Sequence, residues 1–152
     1  MTSSSAITVH GYCILKNKKI FLYIDGASRG NPGPAGVGVL MLDESRKKIK
    51  EFYRYIGETT NNIAEYNALI YGLEEATKLN ADEIVINLDS ELVAKQLSGD
   101  YRVKDSFIKP LFEKALGILR GFGEFKIKHI DRSENKAADK LANKAINLKQ
   151  TG

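Results

Sequence analysis

Two aspartates stand directly after strongly apolar segments, where a side chain could do chemistry. Asp25 follows the run Ile20–Ile24. Asp89 follows the run Ile84–Leu88. Both runs predict buried strands, and α/β proteins bind ligands beyond the ends of such strands. Each residue also has a structural explanation, since Asp25 could start an Asx turn and Asp89 could cap the next helix.

Two further carboxylates fall on predicted helices. Glu65 lies near the start of a helix predicted over Thr60–Leu79, on a face with small apolar residues: Ala68, Leu69, Gly72 and Ala76. We therefore expect Glu65 to point toward the sheet, where a carboxylate is costly unless it is paired or binds a cation. The alternative is simple placement near the positive helix end. Asp139 lies on a helix predicted over Glu134–Leu148, and its alternative is an ordinary exposed position.

Carboxylates that converge without a cysteine or histidine cluster favour hard cations. The chain has one cysteine and two histidines, so Mg²⁺ or Mn²⁺ suits these four acids better than zinc. Two such ions about 3.5–4 Å apart are the usual device for breaking phosphodiesters. With the four acids set aside, 23 basic residues face 15 acidic ones, an excess of +8. This charge favours a nucleic acid over a small anion.

The order of predicted elements is β-β-β-α-β-α-α-β-α. Three strands in a row followed by alternation predict an α/β fold with a mixed sheet and helices on both faces. The third helix, marked by Phe107 to Leu119, is expected to be interrupted near Pro110. We expect an irregular N-terminal extension over residues 1–18, one domain over residues 19–148 and a C-terminal tail over residues 149–152.

The remaining composition excludes a membrane protein. The longest apolar runs fall far short of the roughly 20 residues that a membrane helix needs. Residues 1–10 carry no Lys or Arg, which argues against a signal peptide. The single thiol, Cys13, favours a reducing cytoplasm. We expect a cytoplasmic monomer.

Four segments together resemble a known family. They are Phe21–Gly33, Thr59–Glu65, Leu88–Ser90 and Glu134–Ala142. In this order they resemble the four motifs of type 1 ribonucleases H, in particular the compact branch common in archaea and some bacteria. The resemblance covers about Lys19 to Ile146. It implies a ribonuclease H-like fold, in which three antiparallel strands are extended by parallel ones into a five-stranded mixed sheet.

The resemblance also implies a reaction and roles for the carboxylates. Asp25 would bridge two Mg²⁺ ions, Glu65 and Asp89 would complete one site, and Asp139 would complete the water-activating site. Mn²⁺ would be the substitute ion. The implied activity is cleavage of the RNA strand of RNA–DNA hybrids to 5′-phosphate and 3′-hydroxyl ends. The alternatives are an inactive module that binds hybrids or double-stranded RNA, and a related nuclease that also cuts RNA–RNA duplexes.

The same resemblance implies contacts with the sugars and phosphates of the hybrid. They fall on four polar residues: Asn31, Thr60, Asn61 and Asn62. Amide side chains can both donate to and accept from a 2′-hydroxyl, which distinguishes RNA from DNA. Helix capping is the alternative explanation for Asn61 and Asn62.

Three features depart from the longer members of the family. The chain has no Trp and lacks their basic, Trp-rich protrusion. Asp105 stands where some members have an Asn that contacts a phosphate, and its charge would repel one. For product release we expect Arg132, in a loop, to serve in place of His129. Because Phe125 and Ile127 alternate with His129 along a predicted strand, we expect the histidine to face the core.

Overall fold

The computed structural model describes residues 6–9, 12–15 and 18–151. Strands β1 (Ala6–Val9) and β2 (Tyr12–Leu15) pair antiparallel in a small sheet of their own. This pairing corrects the irregular extension expected for residues 1–18, and both segments are rich in residues that favour strands. Residues 1–5, 10–11 and 16–17 of that expected extension lie outside the described residues.

A five-stranded mixed sheet forms the centre of the molecule and confirms the predicted fold. Its strands are β3 (Lys19–Ser28), β4 (Gly33–Leu42), β5 (Lys48–Thr59), β6 (Glu83–Leu88) and β7 (Glu124–His129). They are ordered β5-β4-β3-β6-β7. The three consecutive strands β3, β4 and β5 pair antiparallel, whereas β6 and β7 are added in parallel. Because β3 is central, its apolar residues Ile20, Leu22 and Ile24 are fully buried.

Four α-helices cover the sheet: α1 (Asn61–Lys78), α2 (Glu91–Leu97), α3 (Ile108–Leu119) and α4 (Lys136–Thr151). Helix α1 packs on β3 and β4 and also contacts α3, whereas α4 packs across β3, β4 and β5. Two glycines let the helices approach on opposite faces. A Cβ at Gly26 would lie 2.2 Å from the Ala64 carbonyl carbon of α1, and one at Gly38 would lie 2.2 Å from the Ala138 oxygen of α4. None of the helices in the described segments is long and apolar enough to cross a bilayer.

The helix ends differ from the sequence prediction in two places. Helix α3 is not interrupted at Pro110, because this proline lies in the first turn, where no backbone N–H is needed. Helix α4 starts at Lys136 rather than Glu134, because Asp131 and Glu134 form a capping box around a separate 3₁₀ turn. It continues to Thr151, so residues 149–151 are helical rather than a tail.

The loop before α3 gives Asp105 a structural role. Its Oδ1 atom accepts hydrogen bonds from the backbone N–H groups of Phe107, at 2.7 Å, and Ile108, at 3.2 Å. These are among the donors that a helix start leaves without an intrahelical partner. Asp105 therefore caps the entry to α3.

Candidate active site

Asp25 lies in β3, where the strand passes between α1 and α4. It pairs with Gly38 of β4, and only 6% of its surface is exposed. Successive strand residues point to opposite faces, so Gly26 meets α1 while Asp25 and Gly38 share the face toward α4. The strand thereby holds one buried carboxylate close to both helices.

Glu65 is held beside Asp25 by the start of α1. Thr60 caps this helix, since its hydroxyl accepts a hydrogen bond from the Ile63 N–H. The Gly26 N–H donates to Glu65 Oε1 at 3.0 Å, across the close approach of strand and helix. The other carboxylate oxygen, Oε2, is buried and accepts no hydrogen bond from the described residues. A buried anionic oxygen without a donor is a suitable ligand for a cation.

Asp89 directly follows β6 and lies beside the end of β3. The capping role considered for it belongs to its neighbour, since Ser90 Oγ accepts from the Val93 N–H and caps α2. Asp89 Oδ2 instead accepts a hydrogen bond from Asn135 Nδ2 at 3.1 Å. Its carboxylate is therefore oriented by a residue 46 positions away in the chain.

Asp139 reaches the site from the first turn of α4. Its side chain is 32% exposed, whereas Asp25 and Glu65 are almost fully buried. Its Oδ1 atom accepts from Asn143 Nδ2 at 3.2 Å and lies 3.6 Å from Arg132 Nη2. Asn143 in turn accepts from Arg29 Nη2 at 3.3 Å. A short polar chain thus connects α4 with the residues that follow Asp25.

The structure brings all four carboxylates into one cavity of about 400 Å³. Asp25, Glu65 and Asp89 each present an oxygen, and these three oxygens lie within 4.8 Å of one another. Burial, together with the charges of Glu65 and Asp89, raises the pKa of Asp25 far above its ordinary value. Burial also raises the pKa of Glu65. Ionising these carboxylates together is therefore costly in the protein alone, and divalent cations would compensate the negative charge that ionisation creates.

Asn135 is a site residue that the sequence reasoning misses, although it lies within one of the quoted motifs. It is buried, and its Nδ2 donates to the Ile24 carbonyl at 2.8 Å as well as to Asp89. Its own carbonyl accepts from the Asp139 N–H. Asn135 thus contacts the residue before Asp25, the Asp89 carboxylate and, through its backbone carbonyl, the backbone of Asp139. Its first contact spans 111 positions, which local patterns do not reveal.

The polar residues expected to contact substrate also hold the site together. Asn31 Oδ1 accepts from the Asn61 N–H at 3.0 Å, and Asn61 Oδ1 accepts from the Ser28 N–H at 2.9 Å. These bonds fix the loop after β3 against the start of α1. Asn61 and Asn62 line the carboxylate cavity, whereas Asn31 and Thr60 lie outside its lining.

Arg132 and His129 lie in different surroundings. Arg132 lines the carboxylate cavity with a side chain that is 81% exposed. His129 is exposed at the end of β7, and its Nε2 lies 3.3 Å from the Asp89 carbonyl oxygen. The expectation that His129 faces the core is wrong: β7 is an edge strand and is largely open to solvent.

Comparison with known proteins identifies the family. Residues 23–145 match the family model described as reverse transcriptase-like. The chain is 42% identical over 128 residues to ribonuclease HI of Halobacterium salinarum, covering 84% of this chain and 64% of that protein. It superposes on the crystal structure of RNase H1 from this organism with a TM-score of 0.83, covering 86% of this chain and 98% of that chain. The chain belongs to the type 1 ribonuclease H family.

Other ribonucleases H show the same likeness. LC11-RNase H1, solved in complex with an RNA/DNA hybrid, is 42% identical, with a TM-score of 0.81 and coverage of 86% of this chain and 99% of that one. A bifunctional protein of Mycobacterium tuberculosis is 40% identical over 129 residues, or 84% of this chain. This ribonuclease H chain spans 64% of the halobacterial relative and 35% of the mycobacterial one.

Proposed function

We propose that the protein hydrolyses the RNA strand of RNA–DNA hybrids with two Mg²⁺ ions. The observation that carries this proposal is the meeting of Asp25, Glu65 and Asp89 oxygens within 4.8 Å in a ribonuclease H fold. The reaction adds water across a phosphodiester bond, so one product ends in a 5′-phosphate and the other in a 3′-hydroxyl. When bound, the ions supply a nucleophilic water and stabilise the leaving oxygen.

The carboxylates divide naturally between two ion positions. Glu65, Asp89 and Asp139 all raise the pKa of Asp25, so this one carboxyl interacts with each of the other three. It is therefore our candidate for the shared ligand, with Glu65 and Asp89 completing one position and Asp139 the other. Oxygen-only ligands favour Mg²⁺, with Mn²⁺ as a substitute.

The surrounding residues orient this set and handle the substrate. Asn135 holds Asp89 relative to β3, and Asn143 holds Asp139. Asn61 and Asn62 line the cavity with amide groups that can bind a 2′-hydroxyl, which hybrids present only on the RNA strand. Arg132 places a permanent positive charge beside Asp139, where it can assist departure of the new 5′-phosphate.

A substrate panel tests this function directly. The protein is incubated with labelled RNA–DNA hybrid, RNA duplex, DNA duplex and single-stranded RNA, each with Mg²⁺, Mn²⁺ or EDTA. We expect cleavage of the hybrid's RNA strand with either metal and none in EDTA. Binding without cleavage would instead indicate an inactive hybrid-binding module, and equal cutting of the RNA duplex would indicate a broader nuclease. We further propose that the protein is cytoplasmic and monomeric. Gel filtration tests the oligomeric state.

A further inference from the structure

A second cavity opens from the carboxylate site along α4. This α4 groove has a volume of about 490 Å³ and is lined by Asp139, Lys140, Asn143, Lys144, Asn147 and Leu148. Asp139 and Asn143 also line the carboxylate cavity, so the two spaces are adjacent and share a wall. A polymer that passes the carboxylates can continue directly into the groove.

Two lysines that line the groove, Lys140 and Lys144, belong to a row of three at helical spacing. Lys136, Lys140 and Lys144 follow one another at intervals of four residues, and all three are exposed. Like charges at this spacing repel by roughly 0.2–0.5 kcal/mol per pair. The helix therefore bears a cost that an anionic partner would remove.

Some lysines of the described chain are neutralised by acids, whereas the lysines of this row are not. Lys19, Lys78 and Lys114 form ion pairs with glutamates. No ion pair with an acid forms at Lys136, Lys140 or Lys144 within the described residues. The Lys144 ammonium lies 5.1 Å from the centre of the Tyr53 ring, a cation–π contact, and the residue remains exposed to solvent. The row thus offers positive charge to a ligand.

We propose that the α4 groove binds the RNA strand of the substrate where it leaves the carboxylates, with Lys140 and Lys144 contacting its phosphates. This inference rests on the proposed function. The strand that is cut must pass Asp139, and the groove begins at Asp139, so the occupant is the continuation of that strand. Lys140 and Lys144 lie one turn, about 6 Å, apart along the helix and can contact successive phosphates. Arg29, bonded to Asn143, adds a cation where the two cavities meet.

The test measures how single-stranded extensions of a hybrid affect binding. Hybrids carrying a 5′ or 3′ RNA extension, a 5′ or 3′ DNA extension, or none are titrated by fluorescence anisotropy at several salt concentrations. The full-length Asp25→Asn protein is used with Mg²⁺ so that the substrate stays intact. Lys140→Gln/Lys144→Gln is compared in this background with the control Lys78→Gln. Lys78 lies in the last turn of α1, about 20 Å along the helix from Glu65, with a side chain that is 73% exposed.

We expect one of the two RNA extensions to tighten binding by about three- to tenfold and the double variant to lose this gain. The slope of log affinity against log salt should fall by about 0.7 for each phosphate that the double variant no longer neutralises. The control should keep both the gain and the slope. A gain from a DNA extension alone, an RNA gain that survives in the double variant, or an equal loss in Lys78→Gln would overturn the inference.

Cleavage of the blunt hybrid by the unmodified protein separates the two proposals. If that hybrid is cut but RNA extensions bind no better, the α4 groove proposal fails alone. If the blunt hybrid is not cut with either metal, the proposed function fails, whatever the extensions do to binding.

Discussion

Glu65 and Glu75 lie ten residues apart on the same helix in opposite electrostatic settings. Glu65 is buried with one oxygen lacking a donor, and its pKa is raised by burial. Glu75 is paired with Lys50 and Lys78, whose hydrogen bonds lower its pKa. The first carboxylate has a charge that the fold leaves uncompensated, whereas the charge of the second is fully matched. Uncompensated charge marks the functional end of α1.

Cavity volume alone would place the active site at the wrong end of α1. A cavity of about 870 Å³ lies beside the C-terminal end of α1, roughly twice the volume of the carboxylate cavity. Its acids are already engaged, since Glu74 pairs with Lys114 and Asp82 accepts from the Lys18 N–H. The smaller cavity contains the acids that need cations. Chemistry rather than volume therefore distinguishes the candidate active site.

The largest expected effect comes from removing the Asp25 carboxylate, whose pKa is raised far above its ordinary value. Asp25→Asn keeps the shape of the side chain but removes the carboxylate shared by both proposed ion positions. We expect hybrid cleavage to fall by at least ~10²-fold, as when one preorganised charge-stabilising group is lost. Single-turnover cleavage in Mg²⁺ measures this, and circular dichroism verifies folding. Near-normal cleavage by the folded variant would refute the site.

The next effect concerns Asn135, whose side chain holds the Asp89 carboxylate in place against β3. Asn135→Ala removes the hydrogen bonds to Ile24 and Asp89. Loss of such an orienting partner typically costs 10–100-fold in activity or metal affinity, and we expect about that loss here. The readout is cleavage rate against Mg²⁺ concentration, because misplaced ligands raise the half-saturating concentration. An unchanged Mg²⁺ requirement would show that Asn135 acts only on stability.

The contrast between Asp25 and Asn135 shows what the sequence can predict. Asp25 can be recognised from the sequence because it follows a local run of apolar residues that predicts a strand. The mixed sheet is predicted from the order of such strand and helix patterns along the chain. The meeting of the carboxylates can be expected because the ends of parallel strands lie at one edge of a sheet. Asn135 cannot be found in this way, because its partners lie far away in the chain. The prediction for His129 fails for a similar reason, since alternation along β7 does not reveal that this strand lies at the sheet edge.

A smaller effect should distinguish Arg132 from His129. Arg132 lines the carboxylate cavity beside Asp139, whereas the His129 ring lies outside that lining, next to the Asp89 backbone. We expect Arg132→Ala to lower kcat several-fold with little change in KM, because product departure slows. We expect His129→Ala to change kcat less than twofold. Steady-state rates of both variants at several pH values test this assignment. A larger loss of kcat in His129→Ala than in Arg132→Ala would assign product release to His129.

The smallest effect is on folding stability and concerns Glu65 and Glu75. Replacing either glutamate by glutamine should change the free energy of unfolding, in opposite directions at the two positions. A raised pKa means that the folded state holds its proton more tightly than the unfolded chain, which ionises near pH 4.3. The contribution of protonated Glu65 to folding stability is therefore fully present below that pH and is lost as the pH rises. Since Gln cannot ionise, Glu65→Gln should stabilise the metal-free protein relative to the parent, and this gain should grow from pH 5 to pH 8. The pKa of Glu75 is lowered, so its contribution is present at neutral pH and is lost on acidification.

Glu75→Gln should therefore destabilise the protein at pH 7, by less than about 1 kcal/mol, because its partners are largely exposed. It should leave hybrid cleavage unchanged, whereas Glu65→Gln should lose it. Urea denaturation in EDTA at pH 5 and pH 8 measures both variants against the parent. Added Mg²⁺ should then stabilise the parent more than Glu65→Gln, because the ions bind the folded carboxylates. Destabilisation by both substitutions at pH 8 would show that the charge of Glu65 is compensated within the fold after all.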